Sequence, residues 1–278
     1  MSNTDKVVVE AFGQEWNKFD QSEADPAELR DIFDVYFGIF PWAELPPNPV
    51  GFDLGCGSGR WAYFVAPRVA KLHCIDPSSA ALQVARKKLS PYRNCEFDCA
   101  SVEAIPLPDD SADFGYSIGV LQFVPDTYRG IEACVRKLKP GAPFLVYLYY
   151  AFDNRPWWFR AVWRVSDLFR RMISRLPFAV KSPVCDIIAA LVYWPLARLA
   201  KLLAYLGLPV DAMPLSSYRD RSFYIMRNDA LDRFGTRLEQ RFTKAQIDDM
   251  MRRAGLERIR FSETPCWCGV GYKGRSAA

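Results

Sequence analysis

Apolar residues recur at helical spacing through the first part of the chain. They fall at Val8, Phe12, Trp16 and Phe19, then at Leu29, Ile32, Phe33, Tyr36 and Phe37, with a break at Asp25-Pro26 and an end at "LPPNP". This predicts two helices ahead of the main sheet. The run "VGFDLGC" that starts at Val50 is apolar without alternation, the mark of a parallel strand buried on both faces. A helix is expected from Arg60 to about Val69. "KLHCIDPS" repeats the arrangement: a short apolar strand ends in an acid, and Ser78 or Ser79 can cap the helix "AALQVARKKL". Strands and helices keep alternating through "PFLVYLYY", so five strands of a parallel α/β sheet are expected by residue 150. From 152 to about 228 the text turns aromatic, basic and helical; after it come a helix closed by Gly255 and two strands that can form a hairpin at the sheet edge. The expected organisation is a helical cap over 1–47, a core over 48–151, a helical insertion over 152–233, and a return to the sheet over 234–278.

Composition narrows the class. Half of the residues are apolar and 24% are charged, as in a folded globular chain, and 278 residues suffice for a domain of about 150 carrying a sizeable insertion. The first residues lack a basic stretch followed by an apolar core, so no secretory signal is expected. The eight cysteines form no CxxC pair, which suits free thiols in a reducing cytoplasm. Cys266 and Cys268 would share one face of an alternating strand, but no His or further Cys lies near to complete a metal set, and no metal is expected. The net charge of +4 is unevenly spread: Arg155 to Lys201 holds nine basic residues against Asp167 and Asp186, net +7, which leaves −3 for the rest.

The candidate chemistry centres on "DLGCGSGR", residues 53–60. A dinucleotide turn is spaced G-x-G-x-x-G, whereas Gly55, Gly57 and Gly59 are spaced G-x-G-x-G and Arg60 fills the position of a third dinucleotide glycine. No Lys-Ser or Lys-Thr follows, so a phosphate-binding P-loop is excluded. Glycines here let backbone approach a ligand and adopt φ > 0. Asp53 ends the first strand, where its charge can anchor the loop or a ligand ammonium. Asp76 ends the second, where a carboxylate can accept both ribose hydroxyls of a nucleoside cofactor.

The ordered set "DLGCGSGR", Asp76, "SVEAIPLPDDSADF", "YSIGVLQFVPD" and "LKPGAPFLV" resembles the class I S-adenosylmethionine-dependent methyltransferases over roughly residues 50–150. The resemblance implies a Rossmann-like, seven-stranded, mostly parallel sheet with helices on both faces. It implies S-adenosyl-L-methionine as cofactor and S-adenosyl-L-homocysteine as product, without metal. The cofactor residues it implies are Asp53, Gly55, Cys56, Gly57, Gly59, Asp76, Pro77, Ser101, Val102, Ser117 and Ile118, with Trp16 of the aromatic first helix closing over the methionine half. Two departures stand out. Ser101 occupies the place of an Asp that contacts adenine in the family, and "LQF" at 121–123 replaces a frequent "LHH". The one His, His73, lies inside the second strand and reads as a satisfied core residue, so no His base is expected. Methyl transfer needs mainly positioning, and proton removal can fall to Tyr, Glu or water; the candidates are Glu15, Tyr147, Tyr149, Tyr218 and Tyr224.

The acceptor is expected beside Gln122, Arg219, Arg221, Tyr224 and Arg233, with Asp229 in the same polar stretch. The implied reaction is methylation of a small molecule, with oxygen of a saccharide, glycolipid or secondary metabolite as the first choice. Carbon or nitrogen methylation, a non-catalytic cofactor-binding module and a nicotinamide oxidoreductase are the alternatives. The stretch 155–206 interleaves Trp and Phe with Arg, which suits a substrate lid, a homodimer contact or an interfacial helix on anionic lipid. Nucleic acid is disfavoured by the acidic remainder of the chain. A membrane span is not expected, because the longest uncharged run, Ile187 to Ala197, is far shorter than about 20 residues and contains Pro195.

Overall fold

The computed structural model describes residues 2–263 and 267–275. Its elements are α1 (Lys6–Lys18), α2 (Pro26–Phe37), β1 (Val50–Leu54), α3 (Ala62–Val65), β2 (Lys71–Asp76), α4 (Ser79–Lys88), β3 (Cys95–Cys99), β4 (Phe114–Ile118), α5 (Thr127–Lys137) and β5 (Pro143–Tyr147). They continue with α6 (Trp157–Ile173), α7 (Phe178–Ile188), α8 (Trp194–Tyr205), α9 (Phe223–Gly235), α10 (Lys244–Arg253), β6 (Leu256–Phe261) and β7 (Cys268–Lys273). The chain divides into two compact units. The first takes residues up to Asn17, Leu29–Ala151 and the chain from Leu238 onward; the second takes Lys18–Glu28 and Phe152–Arg237.

The first unit is built on a seven-stranded sheet of order β3-β2-β1-β4-β5-β7-β6. Strands β1 to β5 run parallel, and β7 and β6 return antiparallel as the expected edge hairpin. Short apolar strands followed by capped helices give this result: Ser78 accepts from the Ala81 N–H at the head of α4, and Asp126 accepts from the Arg129 N–H at the head of α5. One core cluster joins Phe52, Ile75, Leu121, Ile131, Phe144 and Met251. Another is aromatic, with Phe33 stacked on Phe37 at 4.3 Å between centroids and Phe37 edge-on to Tyr116 at 5.0 Å.

Between β1 and β4 the register sets Gly51 opposite Phe114 and Phe52 opposite Gly115, so each ring lies over a glycine. A Cβ at Gly115 would come within 2.3 Å of the Phe52 ring. Gly115→Ala is therefore expected to cost about 1–3 kcal/mol through overpacking, read as a lower denaturation midpoint with an unchanged m-value; an unchanged midpoint would refute the pairing.

Three sequence expectations are corrected. The helix expected from Arg60 to Val69 shortens to α3 and a 3₁₀ turn at Ala66–Arg68, because Pro67 has no N–H to continue an α-helical ladder. His73 is not a satisfied core residue: its Nδ1 has no hydrogen bond among the described residues and lies 3.5 Å from both Glu96 and Asp98 carboxylates. Finally, α7 and α8 are not separated by Pro195. A π-helical turn at Ala189–Tyr193 joins them and moves the carbonyls that the proline ring would otherwise strike. The result is one helix from Phe178 to Tyr205, 28 residues and by length and composition apolar enough to cross a membrane. The Cys266 part of the Cys266/Cys268 expectation lies outside the described residues.

The second unit has its own core, in which Cys185, Ala189, Tyr193 and Ala197, spaced four apart, pack with Met226, Ala230 and Leu231 of α9 and with Phe19. Asp186 holds it together electrostatically, pairing with Lys18 at 2.8 Å and Arg227 at 2.9 Å.

Candidate functional site

In the first unit the glycine turn follows β1, and its backbone can be held open only by glycine: φ is +76° at Gly55, +54° at Gly57 and +74° at Gly59. Each site is also close-packed. A Cβ at Gly55 would strike Val120, one at Gly57 would come within 2.8 Å of the Trp16 indole nitrogen, and one at Gly59 would touch Leu89. Asp76, at the end of β2, fixes the turn by accepting the Gly57 N–H at 3.0 Å through one oxygen and the Ser78 N–H at 2.8 Å through the other. Burial pushes its carboxyl up to about 6 while those two N–H groups pull it down. The spacing of Asp76 from Gly59 thus serves the loop itself, and lone pairs remain for a ligand's hydroxyls.

Asp53 is buried at the end of β1, and its Oδ2 has no hydrogen-bond partner among the described residues. Burial raises its carboxyl well above the ordinary range, the nearby Tyr116 hydroxyl draws it back, and the Asp76 charge adds to the rise. A desolvated, half-satisfied carboxyl of this kind favours a cationic partner. Ser58 Oγ and Arg60 Nε, in the same turn, are likewise buried without hydrogen-bond partners among the described residues. Cys56 is buried beside the loop, its thiol drawn down by Cys74 but raised to about 11 by burial and the neighbouring Asp76 and Asp53 charges.

Helix α1 reaches across this edge of the sheet. Phe12 packs on Phe123 at 4.9 Å between ring centroids. A Cβ at Gly13 would sit 2.6 Å from Ser78 Oγ. Trp16 covers Gly57, and the Arg60 guanidinium lies 5.6 Å from the Trp16 ring and 4.2 Å from that of Trp61. Residues 12, 13 and 16 therefore touch the loops after β4, β2 and β1 in turn. Glycine inside a helix costs stability without a packing reason, and here the close approach of Ser78 supplies one.

After β4 the chain turns at Gly119, φ +73°. Ser117 donates to the Leu54 carbonyl at 3.0 Å and so ties β4 to β1, and Ile118 is buried beside it. Gln122 is fully buried, and neither polar atom of its side-chain amide has a hydrogen-bond partner among the described residues. Its backbone carbonyl accepts from the Gln240 N–H at 3.1 Å. The amide nitrogen and the Tyr147 ring both lie about 4 Å from the Cβ position of Gly119. Tyr147 contacts Tyr36 at 4.9 Å, and Tyr149 contacts Phe123 at 5.4 Å with the Arg241 guanidinium 5.0 Å from its ring. Ser101 precedes a 3₁₀ turn at Val102–Ala104, without a side-chain cap bond, and Val102 is buried in the core. Pro77 accepts from the Cys99 thiol. Glu15 is buried in α1. Gly57→Ala is expected to weaken ligand binding at least tenfold, since φ > 0 alone costs roughly 1–2 kcal/mol and the new methyl meets Trp16; calorimetric titration reads it, and unchanged affinity would refute the role of this loop.

The remaining candidates belong to the second unit. Tyr218 donates to Asp229 at 2.9 Å, and burial together with the Asp229 charge raises its phenol well above the ordinary value, so it is not poised as a base near neutral pH. The Tyr224 hydroxyl accepts from the Gln21 N–H at 2.9 Å. Arg219 lies 3.4 Å from Asp220, Arg221 reaches the Glu28 carbonyl at 3.5 Å and Arg233 donates to Ser166 at 3.4 Å. These contacts tie the second unit to itself, a role that loop-like Tyr, Arg and Asp text does not reveal in advance.

A methyltransferase-domain family matches residues 52–146. The sterol 4-C-methyltransferase strm-1 of Caenorhabditis elegans is 28% identical over 51% of this chain and 43% of its own length. The ubiquinone biosynthesis O-methyltransferase of Idiomarina loihiensis is 31% identical over 45% of this chain and 61% of its own length. The match thus spans between 43% and 61% of the length of these two curated relatives. Among solved structures, an S-adenosylmethionine-dependent methyltransferase of Thermotoga maritima superposes with TM-score 0.53 at 15% identity, covering 95% of this chain and 99% of that one. The apo form of the S-adenosylmethionine-dependent methyltransferase SibL gives TM-score 0.53 at 15% identity, over 90% of this chain and 56% of that one. These two likenesses carry the fold.

Proposed function

We propose that this chain, whose residues 52–146 match a methyltransferase-domain family, is a class I S-adenosylmethionine-dependent methyltransferase that methylates a small-molecule acceptor, first of all at oxygen of a saccharide, glycolipid or secondary metabolite. The observation that carries the cofactor assignment is the glycine turn locked by Asp76 beside the unsatisfied Asp53 carboxyl. Asp76 would hold the ribose hydroxyls, Asp53 the ammonium end, and Gly55, Gly57 and Gly59 the backbone approach, with Pro77, Ser101 and Val102 toward adenine and Trp16 covering the methionine half. When bound, the cofactor supplies a methyl group on a positively charged sulfur.

The chain's own part in the transfer is to bring an acceptor lone pair into line and exclude water. Gln122, with a free donor and a free acceptor, suits orientation of an acceptor hydroxyl, and Tyr147, Tyr149 and Glu15 or water would take its proton. The O-methyltransferase name of one relative supports oxygen, whereas the sterol relative is named for carbon. Reduced thiols at the seven described cysteines suit a cytoplasmic site of action.

The test is incubation with radiolabelled S-adenosylmethionine and fractions of polar saccharides, lipids and soluble metabolites. Label in an alkali-stable ether of one fraction, with S-adenosylhomocysteine released in equal amount, is the expected result. Cofactor binding with no S-adenosylhomocysteine from any fraction would favour the non-catalytic module instead.

A further inference from the structure

In the second unit α6 is amphipathic but turned outward. Its buried residues include Asp167 and Arg170, paired at 2.7 Å, with the Arg170 guanidinium also donating to the Thr236 carbonyl at 2.9 Å. Its apolar residues Trp157, Val162, Val165, Leu168, Phe169 and Met172 are exposed, Trp157 by 75% and Phe169 by 56%. At about 100° per residue these six fall within a single arc of roughly 140°. Arg160, Arg164 and Arg171 fall on one flank of that arc and Arg175 follows in the turn just past the helix end, all exposed. Of these, Arg171 pairs with Asp167 at 2.8 Å, and the other three make no ion pair among the described residues. A helix normally turns such a stripe to the core; this one turns its ion pair inward.

The long helix from Phe178 to Tyr205 repeats the inversion. One row, Cys185, Ala189, Tyr193 and Ala197, is buried against α9. Every exposed residue from Ala179 to Leu199 is apolar or aromatic, including Ile187, Leu191 at 71% exposure, Val192 and Trp194. The helix is long enough to span a bilayer, but spanning would carry the Asp186 pairs with Lys18 and Arg227 into hydrocarbon and strip Lys181 from the Gly235 carbonyl that it meets at 2.9 Å. Binding along one face keeps all of these contacts.

We propose that the outward apolar faces of α6 and of the helix from Phe178 to Tyr205 dock on the surface of an anionic lipid bilayer, with the arginine flank of α6 on the headgroups. Apolar residues enter the acyl boundary while arginines meet phosphates, the arrangement of an interfacial helix. The segment from Arg155 to Lys201 carries net +7. A second copy would set that charge against itself, whereas an anionic headgroup layer neutralises it. This surface lies wholly in the second unit and does not depend on the methyltransferase reading.

The test is sedimentation of the full chain with vesicles of phosphatidylcholine, with and without about 30% phosphatidylglycerol, alongside calorimetry with S-adenosylhomocysteine. The expected result is binding to the anionic vesicles at least tenfold tighter than to the neutral ones, weakened as salt rises. Phe169→Asp with Leu191→Asp, both exposed, should reduce it at least tenfold while circular dichroism and nucleoside binding stay as in the native chain. Should that double variant fail to fold, Arg160→Glu with Arg164→Glu and Arg175→Glu tests the flank and should also reduce binding at least tenfold. No vesicle binding by the native chain, equal binding to neutral and anionic vesicles, or binding unchanged in folded variants would overturn the proposal. So would a concentration-dependent dimer that the same substitutions dissolve without any lipid binding. Loss of nucleoside binding in the native chain would count against the methyltransferase reading alone.

Discussion

Asp76→Ala is expected to weaken S-adenosylmethionine binding by about 10- to 150-fold, the scale of hydrogen bonds to a charged acceptor, about 1.5–3 kcal/mol. The carboxylate receives the Gly57 and Ser78 N–H groups that shape the turn, and its remaining lone pairs are the ones proposed to meet the ribose. The effect should also follow pH. Burial raises Asp76 from an ordinary carboxyl to about 6, so only the ionised form, dominant above that value, presents acceptors alone. Affinity should rise between pH 5 and 7 with a midpoint near 6 and flatten in the alanine variant. The stability of the ligand-free protein should move the other way. A group whose folded pKa lies above its unfolded value of 3.8 contributes most below the unfolded value and loses that contribution as pH rises through about 6. Asp53, also raised by burial, adds with the same sign. Calorimetry and thermal denaturation over one pH series check both trends, and affinity that falls from pH 5 to 7 would contradict the assignment.

Gln122→Met should separate stability from activity. Both polar amide atoms of Gln122 are buried without hydrogen-bond partners among the described residues, and an unsatisfied buried polar group costs about 1–3 kcal/mol. An apolar side chain of similar volume removes that cost, so the variant should unfold later than the native protein by the same amount. Turnover should drop tenfold or more, because the acceptor loses its orienting hydrogen bonds, while S-adenosylhomocysteine affinity changes little. Denaturation and steady-state rates measure the two sides. A variant that is both less stable and fully active would show that Gln122 belongs to the scaffold.

The sheet was largely legible because its physics is local. Unalternated apolar runs at 50–54, 71–76 and 114–118, the last two leading to helices capped by Ser78 and Asp126, leave few topologies, and the edge hairpin after Gly255 follows from the same reading. The glycine turn was legible too, since three positive φ values at alternate residues admit little besides glycine. What escaped depends on pairs distant in sequence. Phe52 over Gly115, Val120 against Gly55 and Gly13 against Ser78 are close approaches that single-chain spacing does not encode. Gln122 appeared in the sequence as a departure from "LHH" and as an expected acceptor neighbour, and its burial needed the fold. Periodicity also gave the stripe of α6 but not its direction: helical spacing looks the same whether the apolar arc points inward or out, and the buried Asp167–Arg170 pair decided it. The length of the 28-residue helix was not apparent, because the uncharged run from Ile187 to Ala197 is short and contains Pro195, which a π turn absorbs.

The measurement that bears most directly on the central claim is calorimetric titration of the native chain with S-adenosylhomocysteine at pH 7, paired with NADH under the same conditions. The site described here predicts one-to-one binding of S-adenosylhomocysteine at about micromolar affinity, near −8 kcal/mol, and no heat with NADH. No heat and no thermal shift with S-adenosylhomocysteine, or tight binding of NADH in its place, would contradict it.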